Sequence, residues 1–189
     1  LEIELGVTGG EEDGIGAELS GDSDVGNPKL YTQPEDVLYA YDQLSPIGHV
    51  TIAASFGNVH GVYAPGNVKL RPIILKNSQD LVAKERHLPA KPLSLVFHGG
   101  SGSPKEQIKE AVSYGVFKMN IDTDVQFAFA HAVAANLDAN PKAFKYQVDP
   151  DDHTPYKKFY DPRKWLRAGE LGMVARLEEA MHDLGSAGR

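Results

Sequence analysis

Short apolar runs alternate with helical patterns along this chain. Residues 1–5 alternate apolar with acidic positions, so Glu2 and Glu4 share one face of a predicted strand. Residues 32–45 read as a helix, with Pro34, Glu35 and Asp36 as its acidic first turn and Val37, Leu38, Tyr41 and Leu44 as its apolar face. A strand follows at 50–55, then a helix at 70–86 with Ile73, Ile74, Leu81 and Val82 on one side. The apolar run 93–97 predicts a buried strand, and 104–114 a helix that opens on Pro104 and closes at Gly115. Residues 116–121 form the fourth strand, and Asp122 and Thr123 cap a helix over 124–137. Beyond a polar linker at 149–154, Asp161-Pro162-Arg163 starts a last helix that ends at Gly185. Its stripe of Trp165, Leu166, Leu171, Val174, Leu177 and Met181 reads as core or subunit interface.

Repeated strand-helix order predicts an α/β protein with a parallel sheet. Glu4, His60, His98 and Asn120 each fall at or near the C-terminal end of a strand, where the active site of a (β/α)₈ TIM barrel sits. Four strands are half such a barrel, and an isolated half leaves two open edges. The chain is therefore expected to be the C-terminal half of a single TIM-barrel domain, with 6–31 as an active-site loop and 161–186 as the C-terminal helix. Leu1, with no Met and no lead-in, agrees with that.

Composition narrows the chemistry. The 189 residues carry a net charge of −7, which disfavours nucleic acid as a partner. There is no cysteine, so a metal would have to use His, Asp or Glu. No run approaches the roughly 18 apolar residues that span a bilayer, and a cytoplasmic protein is expected.

Candidate chemistry concentrates after the third strand. His98 precedes Gly99, Gly100, Ser101, Gly102 and Ser103, and Pro104 opens the next helix. An imidazole suits a metal or a proton, and a turn rich in backbone N–H groups at a helix start suits phosphate. The turn lacks the Gly-Lys-Ser/Thr ending of a nucleotide-binding loop. On the first strand, Glu2 and Glu4 either bind something or form the solvated face of an edge strand. In the loop, Glu11 and Glu12 are either a mobile base or an acidic turn. Lys118 leaves Schiff-base chemistry open; His49, His87, His131, His153 and His182 fit no motif.

Five segments in order, Gly9-Gly10-Glu11-Glu12-Asp13-Gly14, Phe56-Gly57-Asn58-Val59-His60-Gly61, Phe97-His98-Gly99-Gly100-Ser101-Gly102-Ser103, Asn120-Ile121-Asp122-Thr123-Asp124 and Tyr160-Asp161-Pro162-Arg163, resemble class II, metal-dependent fructose-bisphosphate aldolase. The loop and the last segment resemble its dimeric class IIA branch. The resemblance implies reversible cleavage of fructose 1,6-bisphosphate to dihydroxyacetone phosphate and glyceraldehyde 3-phosphate in glycolysis and gluconeogenesis. It implies Zn²⁺ on His60 and His98, with Glu4 as the carboxylate ligand or as an alternative ligand when the ion shifts, polarising the ketone as a Lewis acid so that no lysine Schiff base is required. Glu12 would be the base at the carbon beside the ketone, supported by Glu11, and Asn120 would orient the enediolate. Gly61, Gly99 and Ser101 would hold one phosphate with a monovalent cation, Na⁺ or K⁺, and Asp122 and Thr123 would complete that site. Arg163 would reach the second phosphate across a homodimer interface.

Two departures accompany the resemblance. The family's third histidine ligand, and the aspartate beside it that protonates the aldehyde oxygen, lie upstream of Leu1; the chain alone is expected to be inactive and to bind zinc weakly. Ala64 stands where many bacterial members have a lysine. Rival readings are a tagatose 1,6-bisphosphate aldolase, a non-catalytic barrel fragment serving in assembly, and a zinc hydrolase.

Overall fold

A computed structural model of the chain describes residues 1–6, 9–12, 15–17, 31–61 and 69–189, with the backbone alone for 9–12, 15–17 and 61. It forms two compact units, Leu1–Asp122 and Thr123–Arg189.

In the first unit the elements run β1 (Glu2–Leu5), β2 (Gly9–Glu12), β3 (Ile15–Ala17), α1 (Pro34–Leu44), β4 (Thr51–Ala54), β5 (Val59–Gly61), α2 (Ile73–Arg86), β6 (Ser94–Phe97), α3 (Lys105–Ser113) and β7 (Val116–Met119). Strands β1, β4, β6 and β7 form one parallel sheet in that order. The strand-helix alternation read from the sequence therefore yields the parallel sheet it predicts, with β1 and β7 at its edges. Beside the β1 edge, Ile3, Leu5, Tyr31, Tyr39, Ala40 and Leu44 line a groove of about 810 Å³.

Burial follows from side-chain type. Leu95, Val96 and Phe97 of β6 are all fully buried, as a central parallel strand covered on both faces requires. Ile52 of β4, Val37 of α1, and Leu75 and Val82 of α2 join them, and Phe56 meets Phe97 edge-on at 4.7 Å between ring centroids. In α2, Gln79 is buried among these groups: its side chain receives the Leu93 N–H and donates to the carbonyls of Leu93 and Tyr114. It fastens the helix to both ends of the β6–α3 segment.

The segment 6–31, expected to be an active-site loop, carries short strands in its described part: β2 and β3 form an antiparallel pair, and β2 also runs parallel to β5. His60 consequently lies within a short strand rather than beyond one. Both strands are glycine-rich, so neither shows the two-residue alternation from which a strand is read. The rest of 6–31, and 62–68 with Ala64 and the turn expected at Pro65-Gly66-Asn67, lie outside the described residues.

The second unit holds α4 (Thr123–Asp138), a 3₁₀ turn (Pro141–Phe144), α5 (Lys157–Tyr160) and α6 (Pro162–Asp183). Asp161 caps α6 by accepting the Arg163 N–H, as the Asp-Pro-Arg start predicts. Helices α4 and α6 approach through small residues: a Cβ on Gly169 would lie 2.7 Å from the Phe129 ring. The α6 stripe was read as core or interface, and within this unit the core half of that reading fails. Leu166, Leu171, Val174, Leu177 and Met181 are exposed, while Gly169 and Ala180 are buried. Helical spacing marks a face but not what covers it; here the small residues, not the large ones, face α4. Nor is 149–154 a plain linker, because Val148 and Pro155 bridge antiparallel around a buried Asp149. Among the described residues no helix is long and apolar enough to cross a membrane.

Candidate metal centre

Two sheets, β1-β4-β6-β7 and β3-β2-β5, bring three sequence-predicted ligands together. Glu4 lies on β1, His60 on β5, and His98 one residue past β6. The Glu4 carboxylate sits between the two imidazoles, with Oε1 3.7 Å from His60 Nε2 and Oε2 3.2 Å from His98 Nδ1. The rings stand nearly perpendicular, their centroids 6.0 Å apart. Among the described residues these form a group in which one ligand atom from each lies within 4.8 Å of the others. Zinc bonds of about 2.1 Å would space tetrahedral ligands roughly 3.4 Å apart, so small side-chain adjustments close the set on one ion. Two imidazoles and a carboxylate match zinc in donor type, and a tetrahedron leaves one further position for another ligand.

Backbone geometry sets the spacing of the imidazoles. Gly99 has φ +62°, and a Cβ there would lie 2.2 Å from the Val59 carbonyl oxygen. Any other residue would push the His98 segment off the segment bearing His60. Buried Asn58 ties the same two segments: it accepts the Phe56 N–H and donates to the His98 carbonyl 3.0 Å away.

A second carboxylate lies behind His98. Glu2 Oε1 is 3.0 Å from His98 Nε2, and the Lys118 ammonium sits 2.8 and 3.1 Å from the two Glu2 oxygens. Lys118 foremost, then His98, holds the Glu2 carboxyl below its ordinary value. Glu2 therefore faces the site, not solvent alone, and β1's alternation, which puts it on the face of Glu4, was the available signal. Lys118 is committed to an ion pair, unlike the unprotonated amine that a Schiff base requires.

The remaining candidates divide by place. Ser101 is buried, and the Gly100 N–H and the Asn120 carbonyl pair at 3.0 Å, joining the glycine turn to the end of β7. Gly61 pairs with Glu11 in the β5–β2 ladder, so the backbone of the acidic loop runs beside His60; the side chains of Glu11 and Glu12 lie outside the described residues. Asp122 ends the first unit, exposed. Thr123 and Arg163 belong to the second unit, where Thr123 opens α4 and Arg163 is exposed and paired with Asp161. His49, His87, His131, His153 and His182 are all exposed.

The family model described as fructose-bisphosphate aldolase class-II matches residues 1–189. A fructose-bisphosphate aldolase of Haemophilus influenzae is 56% identical over 189 residues, covering 97% of this chain and 51% of the relative. A fructose-bisphosphate aldolase class 2 of Escherichia coli K12 is 55% identical over 187 residues, covering 97% and 51%. The crystal structure of the fructose-bisphosphate aldolase of Campylobacter jejuni is similar with a TM-score of 0.81 and 52% identity, covering 98% of this chain and 51% of that one. The chain thus spans about half the length of the curated relatives it matches, and its fold class is that of the TIM barrel.

Proposed function

Because this chain belongs to the class II fructose-bisphosphate aldolase family, we propose that it supplies the metal-binding rim of an enzyme that reversibly cleaves fructose 1,6-bisphosphate to dihydroxyacetone phosphate and glyceraldehyde 3-phosphate. The observation that carries the proposal is the convergence of Glu4 and His98, at the C-terminal rim of the parallel sheet, with His60 of β5. That is the end at which TIM-barrel enzymes act. Zinc bound there would supply Lewis acidity to the substrate ketone.

The chain's own groups take the remaining work. His60, His98 and Glu4 hold the metal. Glu12, with Glu11 beside it, moves a proton at the carbon next to the ketone, and Asn120 orients the reacting oxygens. Gly61, Gly99 and Ser101 bind one phosphate with Na⁺ or K⁺ beside it, and Asp122 completes that subsite. Arg163 binds the second phosphate across a homodimer. A bidentate guanidinium suits that task, and its exposure leaves it accessible. The protein acts in the cytoplasm on a small sugar bisphosphate.

The test is zinc content together with chelator-sensitive cleavage of fructose 1,6- and tagatose 1,6-bisphosphate, for this chain and for a full-length protein carrying it. Zinc-dependent cleavage of the fructose ester by the full-length protein, with little turnover by the chain alone, is the expected result. Cleavage that survives chelation overturns the metal assignment, and preference for the tagatose ester overturns the substrate.

A further inference from the structure

The Glu2–Lys118 pair has no part in the proposed chemistry, yet it spans the site from β1 to β7 beneath His98. As a stabilising ion pair it contributes little. Glu2 and Lys118 side chains are 30% and 47% exposed, and solvent screens pairs so exposed. Its geometry is more specific than that role needs.

We propose that Glu2, anchored by Lys118, is a positioning residue that selects which nitrogen of His98 binds the metal. An imidazole binds a metal through one nitrogen, and the partner of the other nitrogen fixes the choice. Here the two ring nitrogens face different carboxylates. Nε2 meets Glu2 at 3.0 Å, and Nδ1 meets Glu4 at 3.2 Å. Glu4 is the carboxylate that also reaches His60, so the shared ion belongs on the Nδ1 side. The Nε2–H then donates to Glu2, which keeps the Nδ1 lone pair on the metal side. Lys118 contacts both Glu2 oxygens, restrains that carboxylate, and balances a negative charge otherwise added to the site. The assignment rests on the metal-centre reading and adds to it a definite ligand atom with a definite partner.

Cobalt(II) binding to a full-length protein carrying the chain, followed by its visible absorption, and ¹⁵N shifts of the His98 ring in its zinc-loaded form test it together. In the unaltered chain, His98 should carry its proton on Nε2 with the metal on Nδ1. Glu2→Ala should weaken cobalt binding about 10–100-fold, as loss of an outer partner of a ligating histidine does elsewhere, and should mix the two ring tautomers. Glu2→Gln retains an acceptor and should fall between the two. Lys118→Met should weaken binding less than Glu2→Ala, and Lys118→Arg should restore it. Should Glu2→Ala fail to fold, Glu2→Gln and Lys118→Met carry the same readouts. Unchanged cobalt affinity and an unchanged Nε2–H signal in folded variants overturn the inference and leave the metal centre standing. Absence of any cobalt site in the unaltered full-length protein removes the metal-centre reading, and this inference with it.

Discussion

At the rim, the Glu4 carboxylate and the His60 and His98 imidazoles bring three groups able to ligate a cation to one place, whereas around Asp149 in the second unit the facing groups are hydrogen-bond donors. The Asp149 carboxylate accepts from the Tyr156 hydroxyl, from Lys142 Nζ at 3.1 Å and from the Asp151 N–H at 2.8 Å. These contacts, the Tyr156 hydroxyl foremost, hold its carboxyl far below the ordinary carboxylate range. Acidic density alone does not separate the two places: Asp149, Asp151 and Asp152 make a denser acidic cluster than the rim does. The sense of convergence separates them. A carboxylate ringed by donors closes a turn, and several lone-pair donors aimed at one point fit a cation.

The largest effect expected from this contrast is on zinc binding by His98→Ala. Loss of a ligand should weaken it by well over the roughly 100-fold that loss of an outer partner costs. Asp149→Ala should leave zinc binding unchanged, and zinc titration of both variants beside the unaltered chain checks the pair. Weakened zinc binding in Asp149→Ala would break the division drawn between the two places.

Asp149→Ala should instead lower the thermal midpoint by several degrees, because the turn loses the buried acceptor that Tyr156, Lys142 and the Asp151 N–H share. Its acid dependence follows in sign. A carboxyl whose folded value is depressed contributes stability above its ordinary value and loses it as pH falls toward the folded one. Melting curves between neutral and acid pH should therefore converge for Asp149→Ala and the unaltered chain as pH falls. Parallel curves would show that Asp149 is not the group responsible.

A smaller loss is expected on the rim's own framework. Asn58→Leu removes a buried tie between the segments of His60 and His98, and leaving the Phe56 N–H and the His98 carbonyl without it should cost about 1–3 kcal/mol. Zinc affinity should fall as well, since the tie sets the spacing of the two imidazoles. Denaturant unfolding and zinc titration separate these effects. A loss of stability with full zinc affinity would show that Gly99 packing alone holds the ligands in place.

What the sequence could convey depended on whether a feature is local. Strands β4, β6 and β7 and helices α1 to α3 announce themselves through periodicity and terminal residues, and His60 and His98 through their place at strand ends. Features that depend on a partner distant in sequence were not legible. Glu2 needs Lys118, 116 residues away, before it reads as more than an edge-strand carboxylate. Asn58 finds the His98 carbonyl 40 residues on, and Gln79 finds Tyr114 35 residues on. The β2–β5 ladder is carried by backbone groups of glycine-rich segments, which leave no pattern of side chains. The exposed stripe of α6 is the converse case: its period is plain, but the partner of a face is not encoded in its spacing.

The smallest effect concerns the start of that helix, where a carboxylate again meets donors. Asp161 accepts the Arg163 N–H at 3.0 Å and pairs with the Arg163 guanidinium, and these contacts hold its carboxyl at about 2 against an ordinary 3.8. The cap's charge-dependent contribution is thus complete above about pH 4 and declines as pH falls toward 2. Asn caps a helix about as well as Asp, so Asp161→Asn should change neutral-pH stability little while removing that acid dependence. The Arg163 amide reports this directly: its NMR shift and exchange rate should titrate between pH 4 and 2 in the unaltered chain and stay flat in the variant. A titration that persists in Asp161→Asn would assign the acid response to another group and separate this turn from the one at Asp149.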